Sequence, residues 1–448
     1  MSRINRKYVI ETFSATEQDR VRYMVEHMRS NKAFIFNKQN NGKDNELLEE
    51  LREKYISYRR NWREIPKKAI ENKLSHSFYN TLKTPPLCVD IEIASFCDLA
   101  CPFCYRQHIV TPDKFMEESL VYTVIDQSVK MDVPSIKMNW RGESLSHPKL
   151  PEFIRYAKRK GILEVILNTN ATMLDERRSR ALIDSGLDTL IYSFDGASAQ
   201  TYEKMRVGRF KDNRFEDVVA NIRRFAKIRY EKKTCLPVTK IQMILTEETY
   251  HEKERFYKLF KDSVDIVSTK AYSERGGRLH DLGERTMTKI ETYLDNHPEY
   301  HNLKKEEIEF WRDQKGKIYF SFERLPCDQI FQRLLVSYDG RVSMCCYDWE
   351  NNYVVGLVCD RAIKNGNKDY VTVLNKANKG SKGYEKMRNI SMTERCETIP
   401  KEIKTLKQIW DSPTLNNIRE KHVTGRVNTV QVCKNCNNKE TFKWNRID

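Results

Sequence analysis

What this 448-residue chain lacks narrows its class first. No apolar run approaches the roughly 18 residues that a membrane helix needs, so no membrane-spanning protein is expected. The stretch from Met1 to Lys7, followed by Tyr8-Val9-Ile10-Glu11, carries basic residues but no apolar segment. No secretion signal is therefore expected, and the protein is read as cytoplasmic. There is no internal repeat and no arginine-rich tract with interleaved aromatics. The formal charge of +16 is spread along the chain. It reads first as a solvated lysine-rich surface, with an anionic partner (nucleic acid or a phosphorylated substrate) as the other meaning of such an excess.

What is present is cysteine. Twelve cysteines in a reducing compartment are poor disulfide candidates and good metal or redox ligands. Cys97, Cys101 and Cys104 form one group, and Cys433 and Cys436 form a CxxC near the end. Hydrophobic residues make up 39% of the chain, enough to fill real cores, and the length allows two or three domains.

Hydrophobic patterning divides the chain into zones. Residues 1–84 carry helical periodicity at Val21, Met24, Val25 and Met28, and again at Leu48, Leu51, Tyr55, Tyr58 and Trp62. The polar stretch from Asn37 to Asp44 separates these helices, and Pro85-Pro86 ends the zone. Over 85–275, short β-rich runs alternate with amphipathic helices. The runs are Leu87–Ala94, Ser135–Asn139, Glu164–Asn168, Thr189–Phe194, Lys240–Leu245 and Val264–Thr269. Six strands alternating with helices imply parallel βα units, as a barrel or an open sheet, with chemistry at the C-terminal strand ends. Residues 276–320 read as a polar helical linker. Residues 321–448 have a short, irregular pattern, interrupted at 360–403 by an insertion rich in lysine and asparagine.

Cys97-Asp-Leu-Ala-Cys101-Pro-Phe-Cys104 directly follows the first strand. Iron–sulfur clusters are normally held by four thiolates. Three on one loop, with no fourth nearby, would leave one iron open to a small ligand. The same soft thiolates also suit zinc. The CxxxCxxC spacing after the first strand of a six-unit βα domain, with aromatic Phe103 before the third cysteine, resembles the signature of the radical S-adenosylmethionine (radical SAM) superfamily. The resemblance implies a partial (β/α)6 TIM-like barrel and a 4Fe-4S cluster whose open iron is chelated by S-adenosylmethionine. It also implies reductive cleavage to a 5′-deoxyadenosyl radical that abstracts a substrate hydrogen, fed by an electron donor such as flavodoxin or ferredoxin. Cofactor contacts are implied in the same way. Trp140-Arg141-Gly142-Glu143-Ser144 resembles the Gly-Gly-Glu motif that holds the methionine ammonium, with Arg141 in place of the first glycine and Ser144 in place of the usual proline. Gly142 suits close backbone approach and Glu143 a cationic amine. Asn168-Thr169-Asn170 is similar to the Thr-Asn-Gly segment. Ser193, in Ser193-Phe194-Asp195-Gly196, stands where relatives contact the cofactor's ribose or carboxylate. Arg206 resembles an arginine that pairs with the methionine carboxylate. The bland alternatives to these roles are a helix N-cap for Ser193 and a surface charge for Arg206.

Downstream, Cys327, Gly340 and Cys345 precede the distal Cys433-Lys-Asn-Cys436 in a pattern similar to the extensions called SPASM and twitch domains. Tyr338-Asp339-Gly340-Arg341-Val342 reads as a hairpin turn that returns Cys345 beside Cys327. Leu406-Lys-Gln-Ile-Trp410-Asp-Ser-Pro is also typical of these extensions. The resemblance implies one auxiliary 4Fe-4S cluster on Cys327, Cys345, Cys433 and Cys436. The dense cysteine run that would hold a further cluster is absent. A structural zinc would accept the same four thiolates.

Cys88, Cys235, Cys346, Cys359 and Cys396 remain, and free cysteines usually pack as small apolar residues. Cys346 follows the expected ligand Cys345, and adjacent strand residues point to opposite sides. In sulfatase-maturing relatives an aspartate takes a substrate proton at that place. A thiol there can return a hydrogen atom, the step an epimerase needs. The leading expectation is therefore oxidation or epimerisation of a small polar molecule, such as an amino sugar or cyclitol, since the single auxiliary cluster resembles aminocyclitol dehydrogenases and aminoglycoside epimerases. A peptide-modifying maturase, an RNA-modifying enzyme and a non-catalytic zinc protein are the alternatives.

Overall fold

The computed structural model describes residues 13–39, 41–71, 84–104, 106, 112–271, 283–302, 308–312, 317–349, 351, 353–365, 400, 402–434, 436, 438 and 441–447. Six strands, β1 (Cys88–Ile91), β2 (Ser135–Lys137), β3 (Glu164–Thr169), β4 (Thr189–Ser193), β5 (Val238–Leu245) and β6 (Ile266–Ala271), pair in sequence order, each parallel to the next. The connecting helices turn apolar faces onto the sheet. In Leu150–Arg159 the buried face is Leu150, Phe153, Ile154 and Ala157, and in Phe215–Glu231 it includes Val218, Val219, Ile222 and Phe225. Parallel strands covered this way form the incomplete βα barrel that the alternation predicts. Along β5 burial alternates, which turns Lys240, Gln242 and Ile244 toward the barrel cavity.

Before β1 the described residues are helical: Phe13–Glu26, Lys32–Asn37 and Asp44–Glu71, with a 3-10 turn at Met28–Ser30. These helices are part of the main core, through Met24, Met28, Leu48, Tyr55 and Tyr58. They fasten onto the start of β3 by polar contacts. Arg20 pairs with Glu164, Tyr55 Oη donates to Glu164 Oε1 at 3.4 Å, and Tyr58 Oη donates to Glu164 Oε2 at 3.2 Å. Burial alone would hold the Glu164 carboxyl neutral, but the guanidinium groups of Arg20 and Arg59 bring it below the usual carboxylate range.

The C-terminal module shares the barrel's sheet. Strand β9 (Arg333–Val336) lies parallel to β1, and β10 (Arg341–Ser343) and β11 (Val354–Leu357) follow antiparallel, giving the order β11-β10-β9-β1-β2-β3-β4-β5-β6. Leu334, Leu335 and Val336 are fully buried, so β9 completes the covering of β1. The expected hairpin is present at β9–β10, where Gly340 has φ 86°. The helical expectation for 276–320 holds only in part. Gly283–Asp295 is a helix, but β7 (Glu309–Arg312) and β8 (Ile318–Ser321) pair antiparallel, and β12 (Asn445–Arg446) joins β8. Ile318 and Phe320 point to one side and pack with Ile290 and Ile308 in a second small core. This period of two, not helical spacing, decides the segment. Residues 366–399 of the expected insertion, with Cys396, lie outside the described residues.

Candidate active site

The loop after β1 is laced to the segment that follows helix Ala199–Met205. Leu99 bridges Gly208, the Ala100 N–H donates to Val207 O at 2.8 Å, and the Arg209 N–H donates to Asp98 O at 2.8 Å. That lacing holds Cys97, Cys101 and Cys104 at the barrel mouth and sets Arg206 beside them, its Nη1 4.0 Å from Cys101 Sγ. The Arg206 guanidinium also lies over the Phe103 ring, 5.4 Å from its centroid. Arg206 is not a surface charge. It is buried and pairs with Asp195 at 2.6 Å, whose other oxygen accepts from the Ile244 N–H at 2.7 Å. Nor is Ser193 a helix cap, since Ser198 caps Ala199–Met205 and Ser193 lines the cavity.

Glu143 is the most fully built polar site in the barrel mouth. Its Oε2 accepts from the Asn170 N–H at 2.7 Å, and its Oε1 accepts from Thr169 Oγ1 at 2.8 Å and the Leu145 N–H at 3.0 Å. Burial pushes this carboxyl up to about 7, although those hydrogen bonds oppose the shift. Gly142 is required here: a Cβ would lie well inside van der Waals distance of the Ala94 and Phe96 carbonyl oxygens. The Asn170 side chain donates to Asp98 Oδ1 at 2.8 Å, tying the third strand end to the cysteine loop. All six expected cofactor contacts, with the three cysteines, line one cavity of about 1290 Å³.

Arg141 takes a role that its departure from the glycine motif did not announce. It forms a two-pronged ion pair with Glu92, both bonds at 2.7 Å and both side chains fully buried. It also donates to Trp349 O at 3.2 Å, while Trp140 Nε1 donates to Cys346 O at 3.1 Å. The motif after β2 thus grips the C-terminal module directly.

In that module Cys345 is buried and outside the cavity lining, whereas Cys346 and Cys327 line the cavity. The Cys346 thiol donates to Gln329 Oε1 at 3.6 Å. Cys433 and Cys436 are close enough to act electrostatically on each other and on both Cys327 and Cys345. The Thr405 capping box and the Ser412 N-cap start the helices Leu406–Trp410 and Pro413–Val423. The second of these carries His422, fully buried between Cys327 and Cys433. No spacing in the sequence marks His422, because a single histidine on a helix has no motif around it. Among the described residues no three His, Cys, Asp or Glu side chains stand close enough to hold a single metal ion.

The donor chemistry fits the groups that the resemblance implies. Three thiols on one loop suit a cluster with one open iron, and four in the C-terminal module suit a closed cluster. Glu143 and Arg206 face the same cavity with the charges that an amino acid's ammonium and carboxylate require.

Residues 91–260 match the profile of the Radical SAM superfamily. The cofactor-modifying protein of a tungsten-containing aldehyde ferredoxin oxidoreductase from Pyrococcus furiosus is 26% identical over 36% of this chain and 44% of its own length. A GTP 3',8-cyclase from Chlorobaculum tepidum is 31% identical over 29% and 38%. A PqqA peptide cyclase from Gluconobacter oxydans is 26% identical over 43% and 52%. The chain thus matches about half or less of the length of each of these relatives. Among solved structures, BtrN in complex with AdoMet and 2-DOIA overlaps 78% of this chain and 92% of its own, at TM-score 0.40 and 15% identity. Streptococcus suis SuiB bound to precursor peptide SuiA overlaps 85% and 74%, at TM-score 0.47 and 15% identity. The cysteine loop, the Glu143 cradle and the profile match fall on the same part of the chain, residues 91–260, which is similar to the Radical SAM superfamily.

Proposed function

We propose that the protein is a radical SAM enzyme with one auxiliary 4Fe-4S cluster on Cys327, Cys345, Cys433 and Cys436, acting on a small polar substrate by epimerisation or oxidation at carbon. The observation that carries this is the division of labour between adjacent cysteines. Cys345 is turned away from the cavity and Cys346 lines it, together with the three cysteines of the barrel loop. When bound, the barrel cluster and S-adenosylmethionine supply the hydrogen-abstracting 5′-deoxyadenosyl radical. The chain's own residues do the rest. Glu143 takes the methionine ammonium, and Arg206, backed by Asp195, takes the carboxylate. The C-terminal module and the N-terminal helices bound the cavity through Cys346, Gln329, Arg59 and Trp62.

In the epimerisation branch, the Cys346 S–H bond breaks and its hydrogen atom forms a C–H bond on the substrate radical. The sulfur radical left behind takes one electron from the low-potential donor and one proton from solvent. Because that thiol proton exchanges, turnover in heavy water is expected to place one deuterium at the inverted carbon. Cys346→Ala is expected to cleave the cofactor and abstract hydrogen without releasing product. Normal turnover by that variant would reduce the thiol to packing and leave oxidation as the reaction.

A peptide-modifying role is the second reading, supported by the PqqA peptide cyclase match. Maturases of that kind often carry an N-terminal module with three strands. The described residues before β1 are helical.

A further inference from the structure

His422 lies at the end of Pro413–Val423, fully buried, with both ring nitrogens engaged by the auxiliary cysteine set. The Cys327 backbone N–H donates to its Nδ1 at 3.1 Å. A nitrogen that accepts this bond carries no proton, so the ring is the Nε2–H tautomer. Nε2 stands 3.4 Å from Cys433 Sγ. The only hydrogen on the ring nitrogens is thus directed at a sulfur, and a backbone group fixes it there. The Asn438 N–H makes a second contact, 3.4 Å from Cys436 Sγ.

We propose that His422 is a positioning residue which donates an N–H···S hydrogen bond to the Cys433 thiolate and thereby raises the reduction potential of the auxiliary cluster. The inference rests on the reading that Cys433 is a ligand of such a cluster. Adding an electron increases negative charge on the ligand sulfurs, so a hydrogen-bond donor aimed at one of them favours the reduced state. Hydrogen bonds to sulfur are among the determinants of cluster potential. The outward-facing alternative, a histidine satisfied by solvent, is closed to a ring with no exposure. The arrangement also links the two halves of the ligand set. Cys327 precedes β9, Cys433 follows the helix, and one imidazole spans them.

The test uses full-length protein in which Cys97, Cys101 and Cys104 are changed to Ala, reconstituted anaerobically with iron and sulfide, so that one cluster gives the signal. The midpoint potential is read by redox titration with electron paramagnetic resonance. His422→Phe is expected to keep the iron and lower the reduced-to-oxidised ratio at fixed potential about tenfold, a shift of about 59 mV for one electron. His422→Gln, whose amide can both accept from Cys327 and donate to Cys433, is expected to recover most of that shift. A cluster retained in His422→Phe at unchanged potential overturns the inference. Loss of the iron in both variants also overturns it, making His422 a ligand or a structural support. If the parent protein holds no cluster on these cysteines, it is the auxiliary-cluster reading that fails.

Discussion

Glu143 is a buried carboxylate that lines the cavity. Three donors hold its oxygens, yet burial still pushes it up to about 7 against an ordinary value near 4.5. A raised folded-state value means that the unbound site favours the protonated acid below about 7, and that ionisation costs stability as pH rises through this range. An arriving ammonium compensates the charge and expels the proton. S-adenosylmethionine affinity is therefore expected to weaken as pH falls below about 7, with proton release on binding, both read by calorimetry in buffers of different ionisation enthalpy. Glu143→Gln is expected to lose about tenfold or more in affinity, the scale of a charged hydrogen bond at about 1.5–3 kcal/mol, and to lose the pH dependence while its iron content is unchanged. Wild-type affinity in that variant would remove Glu143 from the cofactor site.

At the scale of elements, the joint between barrel and C-terminal module is the sheet itself, pinned by Glu92 after β1 and Arg141 after β2. The Tyr338 N–H, in the β9–β10 turn, adds a 3.3 Å bond to Glu92 Oε2. Removing one member of a fully buried pair strands the other charge, a loss of about 3–5 kcal/mol. Arg141→Met is expected to lower the urea midpoint accordingly and to loosen the Trp349 segment. A change below about 1 kcal/mol would show that the pair does not hold the joint. This joint was not legible beforehand. Arg141 read as an imperfect glycine motif, because an ion pair between positions 49 residues apart leaves no local pattern. The strands β1–β6 were legible because buried parallel strands form compact apolar runs bounded by turns. Their pairing with β9 was not, since four residues without alternation do not announce a neighbour. The segment 309–321 misled for a related reason: its strands are four residues each, shorter than the window over which period two outweighs polar composition.

For the whole molecule, the barrel, the N-terminal helices and the C-terminal module all contribute to the lining of one cavity, which Cys97, Cys101, Cys104, Cys327 and Cys346 share. Cys97, Cys101 and Cys104 were legible because a tight loop keeps sequence spacing and spatial spacing together. Cys327, Cys345, Cys433 and Cys436 were legible only as a resemblance, since their separation in sequence carries no geometry. His422 was not legible at all. No described helix is long and apolar enough to cross a membrane. We propose that this fold carries two four-iron clusters on these seven cysteines. Iron and labile sulfide, counted in anaerobically reconstituted protein alongside its Mössbauer spectrum, test it directly. About eight irons per chain are expected, and about four once Cys97, Cys101 and Cys104 are changed to Ala, on the basis of four irons per cluster. Stoichiometric zinc without absorbance near 400 nm, or a wild-type protein that stops at about four irons, would contradict it.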